Sequence, residues 1–522
     1  QRYNIPVLSL VDGQGRFLPK AGNFAGMTVW ESNEEVIKEL EKQGKIYHKA
    51  KMQHQYPHCW RCKDPLIYRA TEQWFASIDG FRQDTLKAID DVEWIPFWGK
   101  DRIYNMIADR GDWCVSRQRV WGVPIPIFYC EDCDATIINE QTIGHLQQLF
   151  AEHGSDVWFE RSAAELLPDG FRCPSCGGKH FSKETDTMDV WFDSGSSHAA
   201  VLEQRPELRW PADLYLEGSD QHRGWFNSSL STAVATRGTA PYKAVLTHGF
   251  VVDEGGRKMS KSLGNVVYPQ NVIDKYGADV LRLWVASADY RNDIAVSKKI
   301  MGQMADAYRK IRNTFRFILG NLYDFQPETD SLPYEELTLL DRWIIFKLHQ
   351  LIQRVNKAYE KSEFHVVYHA ISTFCIVDLS SFYLDITKDT LYCSASGERE
   401  RRSIQTVLCQ AGNVLARLLA PVLPFTTEEV WSYLPGSKDM AENVHLTDLP
   451  RANRDYLNPE LESYWERILD LRDEVAKALE AARQEKVIGP ATEANVSLYP
   501  ENEETLNFLL QIEDELPAIH PL

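Results

Sequence analysis

The 522 residues carry 57 basic and 75 acidic side chains, a formal net charge of −18, with 44% hydrophobic and 11% aromatic content. That balance excludes a disordered chain and a protein that coats nucleic acid indiscriminately, but not one that reads a folded RNA through local basic patches. The length predicts roughly three to four domains, no apolar run approaches the ~18–20 residues that span a bilayer, and the amino terminus lacks a basic-then-apolar signal, so a cytoplasmic protein with no membrane association is expected.

Residues 1 to about 55 hold Gly- and Pro-punctuated apolar runs (Pro6 to Val11, then Gly13-Gln14-Gly15) and an amphipathic stretch from Asn33 to Gln43. They predict strands and one helix. From about 56 to 125, aromatic and Arg-rich segments alternate, among them Trp74-Phe75 and Trp113-Cys114-Val115-Ser116-Arg117-Gln118-Arg119-Val120-Trp121-Gly122. Such interleaving suits RNA or phosphate contact, and equally suits Arg stacked on Trp inside a domain junction.

Six of the ten cysteines fall in three C-x-x-C pairs, Cys59/Cys62, Cys130/Cys133 and Cys173/Cys176. In a long chain without an export signal this is metal spacing in preference to a disulfide framework. The second and third pairs bracket a helical insert from about Glu140 to Leu167, and Gly177-Gly178 let backbone amides turn toward the thiolates. Four thiolates from two such turns predict one structural, tetrahedral zinc with no open position. Cys59/Cys62 find no unused partner pair and form a possible half-site. Cys375 and Cys409 lie on apolar helical faces and read as core.

From Asp186 to about Asp293, β-rich runs (Asp213 to Leu216, Ala244 to Thr247) alternate with helical segments, which signals a parallel α/β sheet. Between them Glu217-Gly218-Ser219-Asp220-Gln221-His222-Arg223-Gly224-Trp225-Phe226 leads from a strand's carboxyl end into a helix, where ligands collect in open α/β sheets. Gly218 permits close backbone approach, and Glu217, Asp220 and Gln221 offer acceptors for an amine or ribose hydroxyls, although Asp220 also suits a helix cap. Farther on, Lys258-Met259-Ser260-Lys261-Ser262, preceded by Gly255-Gly256-Arg257 and followed by Gly264, makes a mobile cationic loop that can close over a triphosphate.

After about Lys298 the pattern turns to long helices. Ile344, Leu348, Leu351, Ile352, Val355 and Tyr359 share one face, as do Val407, Leu408, Ala411, Val414, Leu415 and Leu418, and a third stripe runs from Asn458 to Gln484. Thr426-x-x-Glu429 after Pro424 predicts a capping box. The basic clusters Arg399/Arg401/Arg402 and Lys298/Lys299/Arg309/Lys310/Arg312 read as solvated charge or as RNA contacts.

Taken together, the lysine run, Tyr56-Pro57-His58-Cys59-Trp60-Arg61-Cys62, Trp113 to Pro124, Asp189-Val190-Trp191-Phe192-Asp193-Ser194-Gly195-Ser196-Ser197-His198, the Glu217 to Phe226 run and His248-Gly249-Phe250-Val251 resemble the isoleucyl-tRNA synthetases, class I enzymes, over essentially the whole chain. The resemblance implies an α/β fold: part of a Rossmann-type class I synthetase catalytic domain with a zinc-knuckle insert, followed by an all-α anticodon-binding bundle. The implied organisation is the tail of an editing insertion over 1–55, a return into the catalytic domain over 56–125, the zinc insert over 126–185, and the second half of the nucleotide-binding domain with the lysine loop over 186–297. Connecting helices over 298–335, the anticodon-binding bundle over 336–455 and the start of a carboxyl-terminal region over 456–522 complete it.

The resemblance also implies the chemistry. Isoleucine and ATP, with magnesium, would form isoleucyl-adenylate before transfer to tRNA(Ile). Lys261 would neutralise charge on the triphosphate, Lys258 would assist and Ser260 would shape the loop. Glu217, Gly218, Asp220 and Gln221 would hold the adenylate, His248, Gly249, Phe250 and Val251 would flank adenine, and Trp191 and Trp225 would line the isoleucine pocket. The carboxylate of the substrate itself attacks, so the protein's part is positioning and charge stabilisation. The expected state is a monomer.

One departure stands out. The family's His-x-Gly-His signature is absent, and Thr142-Ile143-Gly144-His145 is a decoy inside the cysteine-bracketed insert. A fragment is therefore expected, without the editing by which such enzymes compensate for a pocket that rejects a missing methylene by only about 1–3 kcal/mol, isoleucine against valine being the standard instance. No cysteine follows Cys409, so no carboxyl-terminal zinc module is expected. The alternative is a non-catalytic, synthetase-derived tRNA-binding protein with vestigial adenylate contacts.

Overall fold

The computed structural model describes residues 8–59, 61–490 and 493–513, the side chain of Ser262 excepted. Pro6 and Val7 of the first apolar run and Trp60 of the first cysteine pair lie outside the described residues. The chain divides after Leu246 into two compact units.

The start of the first unit has little core of its own. The Ser32–Lys42 helix buries only Ser32, and Leu8, Tyr47, Met52 and Tyr68 are exposed. The strands expected there reduce to the isolated bridges Val11 with Phe17 and Arg16 with Thr28. Gly15, Gly22 and Gly26 all take positive φ, which breaks any extended run before a ladder can grow.

The centre of this unit is a three-stranded sheet in the order Glu93–Ile95, Tyr242–His248, Ala212–Gly218, the first two strands parallel. Its core joins Val92, Trp94, Ile103, Tyr215, Phe226, Leu230 and Val245. The Trp225–Arg237 helix is buried along nine successive residues, Phe226 to Val234, and so shows no amphipathic stripe. Its small polar side chains allow close packing: a Cβ on Gly195 would sit 2.8 Å from the carbonyl carbon of Ser228. The insert has a separate core of Phe128, Ile137, Leu146, Trp158 and Leu166, with helices Glu140–His153, Val157–Glu160 and Ala163–Leu166 filling the expected span. Thr142 is the capping-box partner of Asn139 in the first of these, so Thr142 to His145 lies in the first turns of a helix of the insert.

In the second unit one apolar core runs from Val272 to Ile512. The stripes predicted on the Leu339–Glu360 and Arg399–Leu419 helices face it, with Ile344, Leu348, Val355, Val407, Leu408 and Leu415 fully buried. The Pro459–Gln484 helix starts where expected, its first amides capped by the Asn458 carbonyl oxygen of the side chain at 2.9 and 3.3 Å.

Three expectations are corrected here. Thr426 and Glu429 form no capping box: the Asp279 carboxylate accepts from both the Thr426 amide (2.8 Å) and hydroxyl (2.6 Å), so a buried acid from another helix supplies the cap. Arg401 and Arg402 are not part of a solvated face, whereas Arg399 is exposed as expected. Arg401 is 4% exposed and grips Asp324 with two nitrogens at 2.7 and 3.0 Å, Arg402 bonds the Asp324 carbonyl, and Arg399 pairs with Glu336. Finally, the Phe364–Ile386 helix is long and apolar enough to cross a membrane, but Phe374, Cys375, Leu379 and Tyr383 on it are buried in the protein core. Cys375 is a core residue as predicted, and Cys409 is half-buried against the same core.

Candidate active site and metal centre

The four cysteines of the insert converge. Their sulfurs all lie within 4.8 Å of one another, with Cys130 to Cys176 at 3.6 Å and Cys133 to Cys173 at 3.7 Å. Zinc–sulfur bonds of about 2.3 Å in a tetrahedron place sulfurs about 3.8 Å apart, close to these two pairs, so the set suits a zinc ion. Burial pushes the Cys173 thiol up, but the amides of Cys176 and Ser175 and the neighbouring thiols of Cys130 and Cys133 outweigh it and bring it down to about 6, while Cys130 and Cys133 are pushed up, so these thiols share one deprotonation. Gly178 N donates to Cys176 Sγ at 3.4 Å, as the glycine pattern predicts.

The knuckles share a backbone signature. At Cys130 and at Cys173 the cysteine amide donates to the carbonyl five residues on (3.0 and 2.9 Å), and the amide four residues on returns a bond to the cysteine carbonyl (both 2.9 Å). Asp134 and Gly177 take positive φ to close the turns. Cys59 repeats the pattern, with Cys59 N to Asp64 O at 2.8 Å, Lys63 N to Cys59 O at 2.9 Å and Lys63 at φ 68°. Among the described residues Cys59 and Cys62 belong to no group of three or more side chains placed to share a metal ion.

The acceptor-rich run of the first unit occupies the end of the Ala212–Gly218 strand and the turn after it. Glu217 and Asp220 are exposed, Gly218 is buried, and Gln221 Nε2 donates to Asp220 at 3.2 Å. Gln221 Oε1 accepts from the Trp225 amide at 3.0 Å, so Gln221 caps the core helix where Asp220 was the alternative. Trp225 stacks on Tyr215 with centroids 4.1 Å apart and donates to Ser194 O at 3.0 Å. It is thereby fixed, a contact worth about 0.5–1.5 kcal/mol beyond burial. Trp191 lies over Gly224, where a Cβ would come 2.7 Å from its ring, and stays 41% exposed. Trp191, Gln221, Gly224 and Trp225 are thus brought together by a glycine that leaves room for an indole.

Asp189, Trp113 and Arg117, quoted in the motifs without a role, hold this arrangement together with Arg110, Asn227 and Ser231, which no motif singled out. Asp189, 4% exposed, accepts from Trp113 Nε1 (2.9 Å) and pairs with Arg117 (2.8 Å). Arg110 lies 4.8 Å over the Trp113 ring and donates to Ser231 at 2.9 Å and to Asn227. The Arg–Trp interleaving is therefore partly internal stacking. The other part is open: Arg117, Arg119, Trp121, Asp189 and Trp191 line a cavity of about 940 Å³, with Trp121 92% exposed. His222 is fully buried between Trp94, Trp98 and Phe226, and burial drives its pKa down to about 4. Only its place in the Glu217 to Phe226 run hinted at it.

In the second unit Gly249 passes so close to the chain at Asn292 that a Cβ would sit 2.4 Å from the Asn292 carbonyl, which explains glycine there. Val251 and Val252 pair in parallel with Ile294 and Ala295. His248 Nδ1 lies 2.7 Å from Gly249 O, and Phe250 N donates to Asp293 at 2.7 Å. Lys258 sits 5.0 Å over the Phe250 ring, a cation–π contact that joins the expected adenine wall to the lysine loop. Ser260 caps the single turn Lys261–Leu263 by accepting from Leu263 N at 3.3 Å, and Gly264 closes it at φ 66°. Lys261 is exposed.

Residues 26–297, more than half of the chain, match the model of the tRNA synthetases class I (I, L, M and V), and residues 341–498 match that of the anticodon-binding domain of tRNA ligase. The chain belongs to the class I tRNA synthetases. Within that family it is similar to the isoleucine–tRNA ligase of Moorella thermoacetica, 62% identical over 518 residues covering 99% of this chain and 56% of the relative. The isoleucine–tRNA ligase of Desulforudis audaxviator is 60% identical over 523 residues, with coverage of 99% and 56%. The chain thus spans about half the length of these curated relatives. Among solved structures, methionyl-tRNA synthetase of Mycobacterium tuberculosis bound by methionyl-adenylate aligns with a TM-score of 0.52 at 17% identity, over 72% of this chain and 65% of that one. That likeness bears on the class I synthetase fold alone.

Proposed function

We propose that this synthetase chain serves the activation of isoleucine with ATP and magnesium and its transfer to tRNA(Ile). The observation that carries the reading is the 62% identity to an isoleucine–tRNA ligase along a chain whose lysine loop and acceptor-rich turn are both intact. In this reading Lys261 and Lys258 neutralise charge on the triphosphate, and Ser260 shapes the turn that carries them. Glu217, Gly218, Asp220 and Gln221 hold the amino group and ribose of the adenylate, and His248, Gly249, Phe250 and Val251 flank adenine. Trp191, exposed over Gly224, supplies an apolar wall for the isoleucine side chain, and Trp225 supports it from behind.

Cys130, Cys133, Cys173 and Cys176 would hold one zinc, which supplies cross-linking of the insert and no chemistry, since four thiolates leave no open position. Cys59 and Cys62 have the backbone of a knuckle and would form half of a second site. The Arg117, Arg119 and Trp121 groove suits a single-stranded RNA end, with stacking on indole and charge on phosphate. The helical unit would receive tRNA(Ile), and the chain would work as a cytoplasmic monomer.

Two measurements test this. Isoleucine-dependent ATP–pyrophosphate exchange, with valine and leucine as controls, is expected to favour isoleucine. A non-hydrolysable isoleucyl-adenylate analogue is expected to bind saturably and more tightly than its leucyl counterpart. Failure of both would leave a non-catalytic tRNA-binding protein as the better account.

A further inference from the structure

The loop that carries the two lysines is closed by side chains from its two ends. At one end the Asp253 carboxylate accepts from the amides of Gly255 (3.0 Å) and Arg257 (2.9 Å) and from two nitrogens of the Arg257 guanidinium, both at 2.9 Å. At the other end Asn265 Nδ2 donates to the same carboxylate at 3.0 Å, across twelve residues of sequence. Asn265 also reaches into the loop: its Oδ1 accepts from the Ser260 amide at 2.9 Å, and its Nδ2 approaches the Lys258 carbonyl at 3.4 Å. Main-chain bonds Asp253 N to Arg257 O (3.0 Å) and Gly256 N to Asp253 O (2.9 Å), with Gly256 at φ 72°, complete the turn.

An ordinary surface turn accounts for Asp253 with its neighbours Gly255 and Arg257. It does not account for Asn265, which bonds three separated points of the loop, Asp253, Lys258 and Ser260. The Asp253 side chain is only 14% exposed, and its amide and guanidinium donors, Asn265 first among them, hold the carboxyl well below the usual range.

We propose that Asp253 and Asn265 form a latch that makes the lysine loop one pre-closed unit, so that Lys258 and Lys261 meet the triphosphate of ATP together. Neither side chain touches reacting atoms: both are positioning residues. Closing eleven free residues around a ligand has an entropic cost at every binding event, and a latch moves that cost into folding. The inference rests on the proposed ATP chemistry only in the identity of the ligand.

The test compares Asn265→Ala, Asn265→Asp, Asp253→Asn and the double exchange Asp253→Asn/Asn265→Asp. Asn265→Asp keeps the acceptor for the Ser260 amide but sets a second carboxylate against Asp253. The double exchange restores an amide-to-carboxylate pair with its direction reversed. The first readout is the rate of tryptic cleavage after Arg257, Lys258 and Lys261 in the folded chain, without ligand and over a titration of magnesium ATP, with melting temperature as the control.

Cleavage is expected to rise at least tenfold in both Asn265 variants, and the double exchange to recover most of that rise, at an unchanged melting temperature. The ATP concentration for half-protection is expected to rise at least tenfold in Asn265→Ala. Unchanged cleavage in Asn265→Ala, no recovery in the double exchange, or no protection of the native chain by ATP would each overturn the latch. The second readout is isoleucine-dependent exchange, in which Asn265→Ala is expected to raise KM for ATP while leaving KM for isoleucine unchanged. Equal effects on both substrates would also overturn it. A native chain that is protected by ATP but shows no isoleucine-dependent exchange would fail the proposed substrate and leave the latch standing on its proteolysis.

Discussion

The cysteine insert and the lysine loop are both short turns that gather groups for a charged ligand, and they are held in opposite ways. In the insert the ligand atoms are the fastening: four sulfurs within 4.8 Å, two of the four cysteines buried, on a core of Phe128, Trp158 and Leu166. In the loop the charged groups project to solvent, and other residues do the fastening, through the hydrogen bonds of Asp253 and Asn265. A site whose task is structural can bury its ligands, because nothing has to enter or leave. A site that must admit and release a nucleotide needs exposed cations on a turn held from outside.

The largest effect that would sharpen this contrast is on the insert. Cys173→Ser, or removal of metal by a chelator, is expected to abolish one zinc per chain and unfold the segment 126–185, since structural zinc supplies an apparent binding energy of about 10–16 kcal/mol that is also folding energy. Metal analysis with thermal melting decides it, and unchanged melting would break the contrast.

Next is the Arg401 pair, a polar fastening buried in the helical core. Arg401→Ala leaves Asp324 without its two-nitrogen partner and is expected to cost about 3–5 kcal/mol in urea denaturation. Lys261→Ala should do the reverse of both, lowering the exchange rate by about 10²–10³-fold, about 3–4 kcal/mol, with no change in melting. A stability loss there would mean that the lysine is itself a fastening.

The smallest effect is a pH dependence. His222 is held at about 4 in the folded protein against 6.5 for a free histidine. Its neutral form therefore contributes stability that is fully present above about pH 6.5 and is lost as pH falls toward 4, where the unfolded chain takes up a proton that the folded one refuses. The difference amounts to about 3 kcal/mol. His222→Phe is expected to flatten that part of the stability profile relative to the native chain.

Legibility in the sequence followed the range of the interaction. The cysteine knuckles, the amphipathic helices over 339–360 and 399–419 and the strand-to-helix turn at Glu217 were readable, because each is a local pattern of a few residues or a 3.6-residue period. The Trp225–Arg237 helix has no stripe to read, since it is buried on every side. The cap on the Pro424–Tyr433 helix was misread because Thr426-x-x-Glu429 has the right spacing, while the acid that bonds Thr426 is Asp279, 147 residues earlier. Arg401 and Arg402 looked solvated for the same reason: their partners Asp324 and Asp330 lie far off in sequence.

The sequence by itself determined the chemistry this chain carries: thiolates at knuckle spacing, cations on a glycine-flanked turn, acceptors at the end of a strand. Those depend on which atoms a short stretch presents, and a short stretch is written in order. Tertiary structure alone decided which charges became fastenings and which stayed available, that Asn265 ties Asp253 to Ser260, and that Gln221 caps a helix while Trp191 stays open. Those outcomes depend on what folding brings within about 3 Å, and no local pattern encodes a partner that distant in the chain.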